Sequence, residues 1–245
     1  MTGAGQGIGR TIATMLADYG ASVAVNDIQA ASAEDTATSI CVAGGEALAV
    51  QADVSRADDV AQMVALITDR WKEVDILVNN AAYMSMAPLL ELQEAAWDRV
   101  LAVDLKGHYL TCRAVLPSML ANRWGRIINI ASEWGITGAA GATHYAAAKA
   151  GVIGFTRALA LEVAAQGVLV NAIAPGVIDT PQLQVDADYA GRPLEAMKDA
   201  YLAHIPVGRL GRPRDIALTV LLLVWESGDF YSGQVFTPNG GSSYF

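Results

Sequence analysis

Apolar residues recur along this chain in two alternating patterns. Short runs rich in β-branched residues, with no polar residue at every second position, are typical of strands buried on both faces of a parallel sheet. These runs lie at 21–27, 46–53, 74–80, 125–132, 168–175 and 233–239. Between them are segments with the apolar spacing of helices, at about 10–19, 30–43, 56–72, 94–122, 143–165 and 213–226. Because helices separate the strands, the pattern predicts a doubly wound, Rossmann-type α/β fold with a parallel sheet and three layers.

The longest stretch without a clear period is 179–209, which contains three prolines and one predicted helix near 194–203. Two interpretations remain open for it, a mobile substrate lid around 181–209 or an ordinary surface insertion. No low-complexity linker divides the chain. We therefore expect one catalytic domain over 1–245.

Composition narrows the possible partners. The chain has 16 Lys and Arg against 25 Asp and Glu, a net charge of −9, which disfavours nucleic acids and anionic membranes. No apolar run has the roughly 18 residues of a membrane-spanning helix, and the start does not resemble a secretory signal. Cys41 and Cys112 are too few for a disulfide framework, and the three histidines stand apart. We expect a cytoplasmic protein with a small-molecule partner and no metal.

The chain opens with TGAGQGIG, a glycine-rich turn ahead of the first predicted helix. The strict GxGxxG pattern is absent because Ile8 occupies its last position, but Gly3, Gly7 and Gly9 fit TGxxxGxG. Glycine lets the backbone approach a pyrophosphate, and the following helix offers free N–H groups and a positive dipole end. The turn alone is compatible with a nucleotide site or with a turn that binds nothing.

Asp27 ends the next predicted strand, 20 residues after Gly7. A carboxylate here would accept hydrogen bonds from the adenosine ribose hydroxyls and would repel a 2′-phosphate. No Arg or Lys follows it in DIQAAS. These residues predict NAD as the cofactor, in preference to NADP.

Three candidate catalytic residues lie in ASEWGITGAAGATHYAAAK. Tyr145 and Lys149 are four residues apart and share a helix face, and Ser132 ends a strand. A free phenol has a pKa of about 10, so proton exchange near neutrality needs a stabilised phenolate, which the Lys149 ammonium would provide. Ser132 would donate a hydrogen bond to the substrate oxygen as charge develops there. A Tyr and a Lys at this spacing are, by themselves, more often a solvated helix surface.

Together these motifs resemble the short-chain dehydrogenase/reductase family over almost the whole chain. The shared motifs are TGxxxGxG as TGAGQGIG, Asp53-Val54 at the adenine, NNAG as NNAA (79–82), the Ser, Tyr and Lys above, PGVIDT (175–180) and GRLGRP (208–213). The resemblance implies hydride transfer between a nicotinamide and an alcohol or ketone carbon, with Tyr145 as the acid/base. It implies cofactor contacts from Gly3, Gln6, Gly7, Ile8, Gly9, Asp27, Asp53, Val54, Asn80, Ala81, Ala82, Tyr145, Lys149, Pro175, Gly176, Val177, Ile178 and Thr180.

One catalytic candidate departs from the family motif. Asp104 stands where the family usually has an Asn that helps to hold a water in the proton relay. We expect retained activity with an altered pH dependence, and a neutral variation is the alternative.

An apolar substrate pocket is expected from residues near the motif ends, namely Met84, Trp134, Leu183 and Tyr189.

The expected reaction is hydride transfer between NAD(H) and a secondary alcohol or ketone. The rival within the family is a 3-oxoacyl-thioester reductase. The motifs resemble those reductases, which usually prefer NADPH, whereas Asp27 favours NAD. A non-catalytic NAD-binding protein is a further alternative, although a pure binder would not need the Ser, Tyr and Lys. The resemblance also implies a homotetramer, with contacts through 94–122, 143–165 and 213–237.

The strand that leads into TGxxxGxG is central in the family's sheet, whose order is 3-2-1-4-5-6-7. Only Met1 and Thr2 precede the turn here, so this first strand is predicted to be truncated. An empty central position would leave the neighbouring strands with unpaired backbone groups, each costing roughly 1–3 kcal/mol. We therefore expect residues upstream of Met1, either native or added by a vector.

Overall fold

The computed structural model describes residues 1–244 and has alternating helices and parallel strands, which confirms the predicted fold class. The strands are β1 Ser22–Asp27, β2 Glu46–Gln51, β3 Ile76–Asn79, β4 Gly125–Ile130, β5 Val168–Ile173 and β6 Val235–Phe236. The helices are α1 Gly7–Asp18, α2 Ala30–Val42, α3 Ala57–Trp71, α4 Glu94–Leu101, α5 Gly107–Asn122, α6 Trp134–Thr137, α7 Thr143–Val163, α8 Leu183–Ala190, α9 Leu194–Leu202 and α10 Pro213–Val224. A π-helical turn, Ala102–Lys106, joins α4 to α5.

The strands form two parallel groups, β2-β1 and β3-β4-β5-β6. The backbone of Met1 to Ala4 lies between β1 and β3 and bonds to both. The N–H of Thr2 donates to the carbonyl oxygen of Val78 at 3.1 Å, and the N–H of Ala4 donates to that of Asn26 at 2.8 Å. This arrangement matches the expected strand order with a short first strand. A cavity of about 670 Å³ lies beside Met1, and the expectation of upstream residues stays a prediction.

Besides the short helix α6, which the sequence did not indicate, the observed elements differ from the predicted ones in three places. The segment predicted as one helix over 94–122 is divided by the π-helical turn, which carries Asp104. The segment 179–209 contains two helices, α8 and α9, where the sequence indicated one. A carboxylate, Asp186, occupies an inward position of α8 and interrupts its apolar pattern. The last strand, β6, has only two residues.

Helices cover both faces of the four-stranded group. All six residues of β4 are buried, which explains the absence of polar alternation in its sequence. Ile127 packs with Met119 of α5 on one face, and Ile128 packs with Ile12 of α1 and Val220 of α10 on the other. Fully burying an aliphatic side chain of this size contributes about 1.5–3 kcal/mol. Across residues 1–244, no helix is both long and apolar enough to cross a bilayer.

A chain of buried polar side chains links the sheet to α5 and α7. Asn79 at the end of β3 donates to Asn129 of β4 at 2.9 Å, and it accepts from Thr111 of α5 at 2.7 Å. Asn129 in turn donates to Thr156 of α7 at 2.9 Å. Buried polar groups that are fully bonded hold their elements in one arrangement. This chain therefore fixes α5 and α7 relative to the sheet, and α7 carries Tyr145 and Lys149.

We predict that Asn79→Ala lowers the free energy of unfolding by about 1–3 kcal/mol, because it leaves the buried Oδ1 of Asn129 without its donor. Urea denaturation at one fixed protein concentration measures the change. Asn122→Ala is the control, since Asn122 is exposed and its removal is expected to change stability by about 0.5 kcal/mol or less. Equal effects of the two substitutions would contradict the prediction.

Candidate active site

A cleft of about 470 Å³ opens at the carboxyl ends of the parallel strands. This edge is where ligands bind in doubly wound folds. Every expected cofactor residue lines the cleft, together with Ser132 and three of the four expected substrate residues, Met84, Trp134 and Leu183. Sequence segments from Gly3 to Asp186 therefore meet in one place, which we call the main cleft.

The glycine-rich turn has little room for side chains. A Cβ on Gly9 would lie 2.1 Å from the carbonyl oxygen of Gly3, and a Cβ on Gly3 would lie 2.7 Å from the Cα of Ala81. Gly3 and Gly7 also have positive φ angles of 58° and 55°, which favour glycine. Helix α1 begins at Gly7 without a side-chain cap, so its first N–H groups remain available for an anion. The turn fits a dinucleotide phosphate.

Asp27 is bonded to the backbone around it. One carboxylate oxygen accepts the N–H of Gly5 at 3.0 Å, and the other accepts the N–H of Gln29, also at 3.0 Å. The carboxylate therefore shapes the glycine-rich turn and the start of the loop after β1. A structural role of this kind accounts for an Asp at this position whichever cofactor binds.

Asp53 lines the main cleft and is held by a cation that the sequence motifs did not indicate. Its carboxylate accepts from the N–H and the hydroxyl of Ser55 at 2.9 and 2.7 Å. Arg99 of α4 forms an ion pair with it at 3.1 Å and also lines the cleft. Arg99 is 46 residues away in sequence, so spacing alone could not connect the two.

Tyr145 and Lys149 project from one face of α7 toward the end of β4. The Nζ of Lys149 lies 5.4 Å from the centre of the Tyr145 ring and donates to the carbonyl oxygen of Ile130 at 3.1 Å. Burial raises the pKa of Tyr145, while the Lys149 ammonium and the Ser132 hydroxyl lower it and the Asp104 carboxylate raises it. The structure thus places every expected catalytic side chain within electrostatic reach of the phenol.

Asp104 stands behind Lys149 and is not among the residues that line the main cleft. Its side chain is fully buried, 3.3 Å from the Nζ of Lys149, and it accepts the N–H of Tyr83 at 2.8 Å. Burial raises the pKa of Asp104, and the Lys149 ammonium opposes this. Asp104 therefore acts on the site through Lys149.

The substrate part of the main cleft combines apolar and acidic groups. Trp134 packs edge-to-face on Tyr145 with ring centres 6.2 Å apart. Tyr189 does not reach the cleft; it packs against Gly141 and is 42% exposed. Two buried carboxylates that the sequence motifs did not indicate, Glu133 and Asp186, line this part. In the sequence, each of them is only an acidic residue next to apolar ones, a pattern that does not indicate a site.

His144, next to Tyr145, is fully buried and points away from the main cleft. Its Nε2 lies 3.0 Å from the hydroxyl of Ser85, and burial lowers the pKa of the imidazole. Within residues 1–244, no group of three His, Cys, Asp or Glu side chains is placed to hold a metal ion.

Comparison with known proteins identifies the family. Residues 3–243 match the family model described as Enoyl-(Acyl carrier protein) reductase. The chain is 40% identical to a 3-oxoacyl-[acyl-carrier-protein] reductase of Synechocystis sp., over all of this chain and 96% of that protein. It is 41% identical to the (2S)-[(R)-hydroxy(phenyl)methyl]succinyl-CoA dehydrogenase subunit BbsD of Thauera aromatica, with the same coverage. A 3-oxoacyl-[acyl-carrier-protein] reductase of Staphylococcus epidermidis is 39% identical over 98% of this chain and 96% of its own length.

The fold and the site define a Rossmann-type oxidoreductase that acts on CH–OH groups. The chain belongs to the short-chain dehydrogenase/reductase family, as the motifs indicated.

The prediction of NAD in preference to NADP is wrong. Relatives that match over nearly the full length of both chains are named 3-oxoacyl-[acyl-carrier-protein] reductases. Reductases of that kind use NADPH. The prediction relied on Asp27 as a partner of the ribose. This carboxylate accepts hydrogen bonds from two backbone N–H groups, which gives it a structural function. Its presence therefore does not indicate which cofactor binds.

We predict opposite shifts of the pH profile for two substitutions at the buried ion pair. Asp104→Asn removes a charge that raises the pKa of Tyr145, so alcohol oxidation, which uses the phenolate, should reach half of its maximum at a lower pH. Lys149→Met removes a charge that lowers this pKa, so the same midpoint should move to a higher pH. The pH dependence of kcat/KM for oxidation measures both shifts. An unchanged midpoint in Asp104→Asn would show that Asp104 does not act electrostatically on Tyr145.

Proposed function

We propose that this enzyme reduces 3-oxoacyl thioesters to 3-hydroxyacyl thioesters with NADPH. The observation that carries the proposal is the 39–40% identity, over nearly the full length of both chains, to enzymes named for that reaction. A CoA thioester with a secondary hydroxyl also appears in the name of the 41% identical relative. A simple secondary alcohol, expected from the sequence, has less support, since these names share an acyl thioester.

Tyr145 is the proton donor in this proposal. When the hydride reaches the keto carbon, the carbonyl oxygen becomes an alkoxide and takes the phenolic proton of Tyr145, which gives the hydroxyl group. Ser132 donates a hydrogen bond to the same oxygen while its charge develops. Lys149, 5.4 Å from the ring, stabilises the phenolate that remains. Asp104 is a positioning residue, because it holds the Lys149 ammonium without lining the cleft.

The cofactor occupies the part of the main cleft that is formed mostly by backbone. NADPH supplies the hydride when bound. The first turn of α1 and the glycines before it hold the pyrophosphate, and the crowding at Gly3 and Gly9 supports this placement because any side chain there would displace the turn. Asp53 and Val54 would contact the adenine, and the segments 80–82 and 175–180, which line the same cleft, would contact the nicotinamide half.

The segment 181–209 is a lid over the substrate, within one catalytic domain over 1–245. Leu183 of α8 lines the main cleft, which supports a covering role. Lys198 of α9 forms an ion pair with Asp179 at 3.0 Å. This pair joins α9 to the loop after β5, in the segment 175–180 that lines the main cleft.

The enzyme assembles as a homotetramer through α5, α7 and the region 213–237. Exposed apolar side chains on these elements support this assembly, including Tyr109 on α5, Leu161 on α7 and Phe230 after α10. Apolar groups of this size on a surface are typical of contacts between subunits.

We predict that Tyr145→Phe lowers kcat for reduction of a 3-oxoacyl thioester by about 10²–10⁴-fold, the usual contribution of a general acid. NADPH binding should persist, because only the phenolic oxygen is removed. Oxidation of NADPH is followed by absorbance, and cofactor binding by fluorescence titration. Tyr19→Phe, at an exposed tyrosine after α1 that does not line the cleft, is the control and should keep full activity. Turnover of Tyr145→Phe within a few-fold of wild type would exclude the proposed role, and no thioester reduction by the wild type would exclude the proposed function.

We predict that Asp27→Asn lowers KM for NADPH by about threefold to tenfold. A unit charge a few ångströms from a phosphate opposes binding by roughly 1 kcal/mol in a solvated site, and Asn keeps an oxygen for one of the two N–H groups. Initial rates over a range of NADPH concentrations measure the change. Glu34→Gln removes an exposed charge from α2 and is expected to leave KM unchanged. A higher KM for NADPH in Asp27→Asn would mean that the carboxylate mainly supports the turn.

A further inference from the structure

Helix α8 places a carboxylate in the substrate part of the main cleft. Asp186 is only 5% exposed and lines the cleft. One of its oxygens, Oδ2, accepts the hydroxyl of Tyr201 of α9 at 2.8 Å. Its other oxygen, Oδ1, is buried and has no hydrogen-bond partner among the residues that the structure describes. A buried oxygen without a partner costs roughly 1–3 kcal/mol. Because Asp186 lies at the wall of the cleft, a small rotation of its side chain would open Oδ1 to a ligand that donates a hydrogen bond to it.

The surroundings of Asp186 indicate what kind of group that ligand carries. The carboxylate raises the pKa of Tyr145 and therefore lies within electrostatic range of the reacting group. Leu183, one turn earlier on α8, and Met84 and Trp134 provide apolar surface in the same part of the cleft. An unsubstituted acyl chain would match these apolar side chains but would leave Oδ1 without a partner.

We propose that Asp186 is a specificity-determining residue that accepts a hydrogen bond from a hydroxyl group on the acyl chain of the substrate. The same negative charge disfavours acyl chains that carry a carboxylate. In naming the acyl part of the substrate, this inference rests on the proposed function. It adds that the preferred 3-oxoacyl group is hydroxylated at a carbon beyond the keto group.

A purely structural role for Asp186 makes a different prediction. In that case the carboxylate only joins α8 to α9 through Tyr201, and its loss would change stability or overall rate equally for all substrates. The two roles are therefore separated by ratios of kcat/KM between substrates, which do not depend on the fraction of folded enzyme.

The experiment uses the full chain with NADPH and N-acetylcysteamine thioesters of equal chain length. The acyl groups are 3-oxohexanoyl, its 5-hydroxy and 6-hydroxy derivatives, and 3-oxoadipyl, which has a carboxylate at carbon 6. The variants are Asp186→Asn, which removes the charge and keeps the shape, and Asp186→Leu, which removes all hydrogen bonding. Asp188→Asn is the matched control, because Asp188 lies on the same helix but is exposed and bonds only to Gln184 among residues 1–244.

Of the two hydroxylated substrates, we expect the wild type to prefer at least one over the 3-oxohexanoyl thioester by about tenfold in kcat/KM. We expect it to use the 3-oxoadipyl thioester poorly. Asp186→Leu should abolish the preference for the hydroxyl. Asp186→Asn should raise kcat/KM for 3-oxoadipyl relative to 3-oxohexanoyl by about tenfold, since repulsion is replaced by an N–H donor. Ratios in Asp188→Asn should equal those of the wild type. Wild-type ratios near one, or ratios unchanged by both Asp186 substitutions, would overturn the inference.

Tyr201→Phe provides a second test if the Asp186 variants do not fold. It leaves the carboxylate in place and frees Oδ2 as well, so the preference for the hydroxylated substrate should persist or increase. Loss of that preference in Tyr201→Phe would overturn the inference.

Failure of the proposed function gives a different result. If the wild type reduces none of the thioesters, the proposed function is wrong, and the same ratios are measured with 2-hexanone, 6-hydroxy-2-hexanone and 5-oxohexanoate. A preference for the hydroxylated ketone that depends on Asp186 would support the role of this residue without the thioester. Equal use of the three ketones would exclude it.

Discussion

Lys149 carries its ammonium in a position that is 1% exposed, and the chemistry of the site depends on that charge being stable there. An isolated charge removed from water is strongly unfavourable. The Asp104 carboxylate at 3.3 Å and the carbonyl oxygen of Ile130 at 3.1 Å compensate for the lost hydration. Because these partners are rigidly held, the ammonium remains beside Tyr145, where it lowers the pKa of the phenol against the effect of burial. An Asn at position 104 would bond to Lys149 without balancing its charge, whereas the Asp104 carboxylate balances it.

The rest of the domain holds that ion pair in place. The π-helical turn carries Asp104 between α4 and α5, and α7 carries Lys149. The buried polar chain from Thr111 through Asn79 and Asn129 to Thr156 connects α5 to α7 across the ends of β3 and β4. Since every link in it is between buried side chains, a shift of α5 or α7 would break bonds that water does not replace.

The two halves of the main cleft are constructed differently. In the cofactor half, backbone positions and glycines make the shape, and a Cβ at Gly3 or Gly9 has no space. In the substrate half, side chains from α6, α7 and α8 make the surface, and buried acidic groups such as Asp186 and Glu133 lie among apolar ones. Backbone geometry tolerates little variation, whereas side chains on α8 can change with small effects on the fold. Similarity to relatives is therefore stronger evidence for how the cofactor half binds its ligand than for which substrate the other half accepts.

The sequence by itself determined the order and type of most elements, because buried parallel strands need unbroken apolar runs and helices need a 3.6-residue period. It also indicated the glycine-rich turn and the Tyr145 and Lys149 pair through short spacings within single elements, and Ser132 through the family motif. The preference for NAD was wrong because a carboxylate at the end of β1 has the same sequence signal whether it binds ribose or the N–H groups of Gly5 and Gln29. Helix α8, the pairing of Arg99 with Asp53 and the burial of Asp186 were decided only by the tertiary structure. Each of these depends on which distant segments meet at the carboxyl edge of the sheet, and contacts between distant segments leave no period in the sequence.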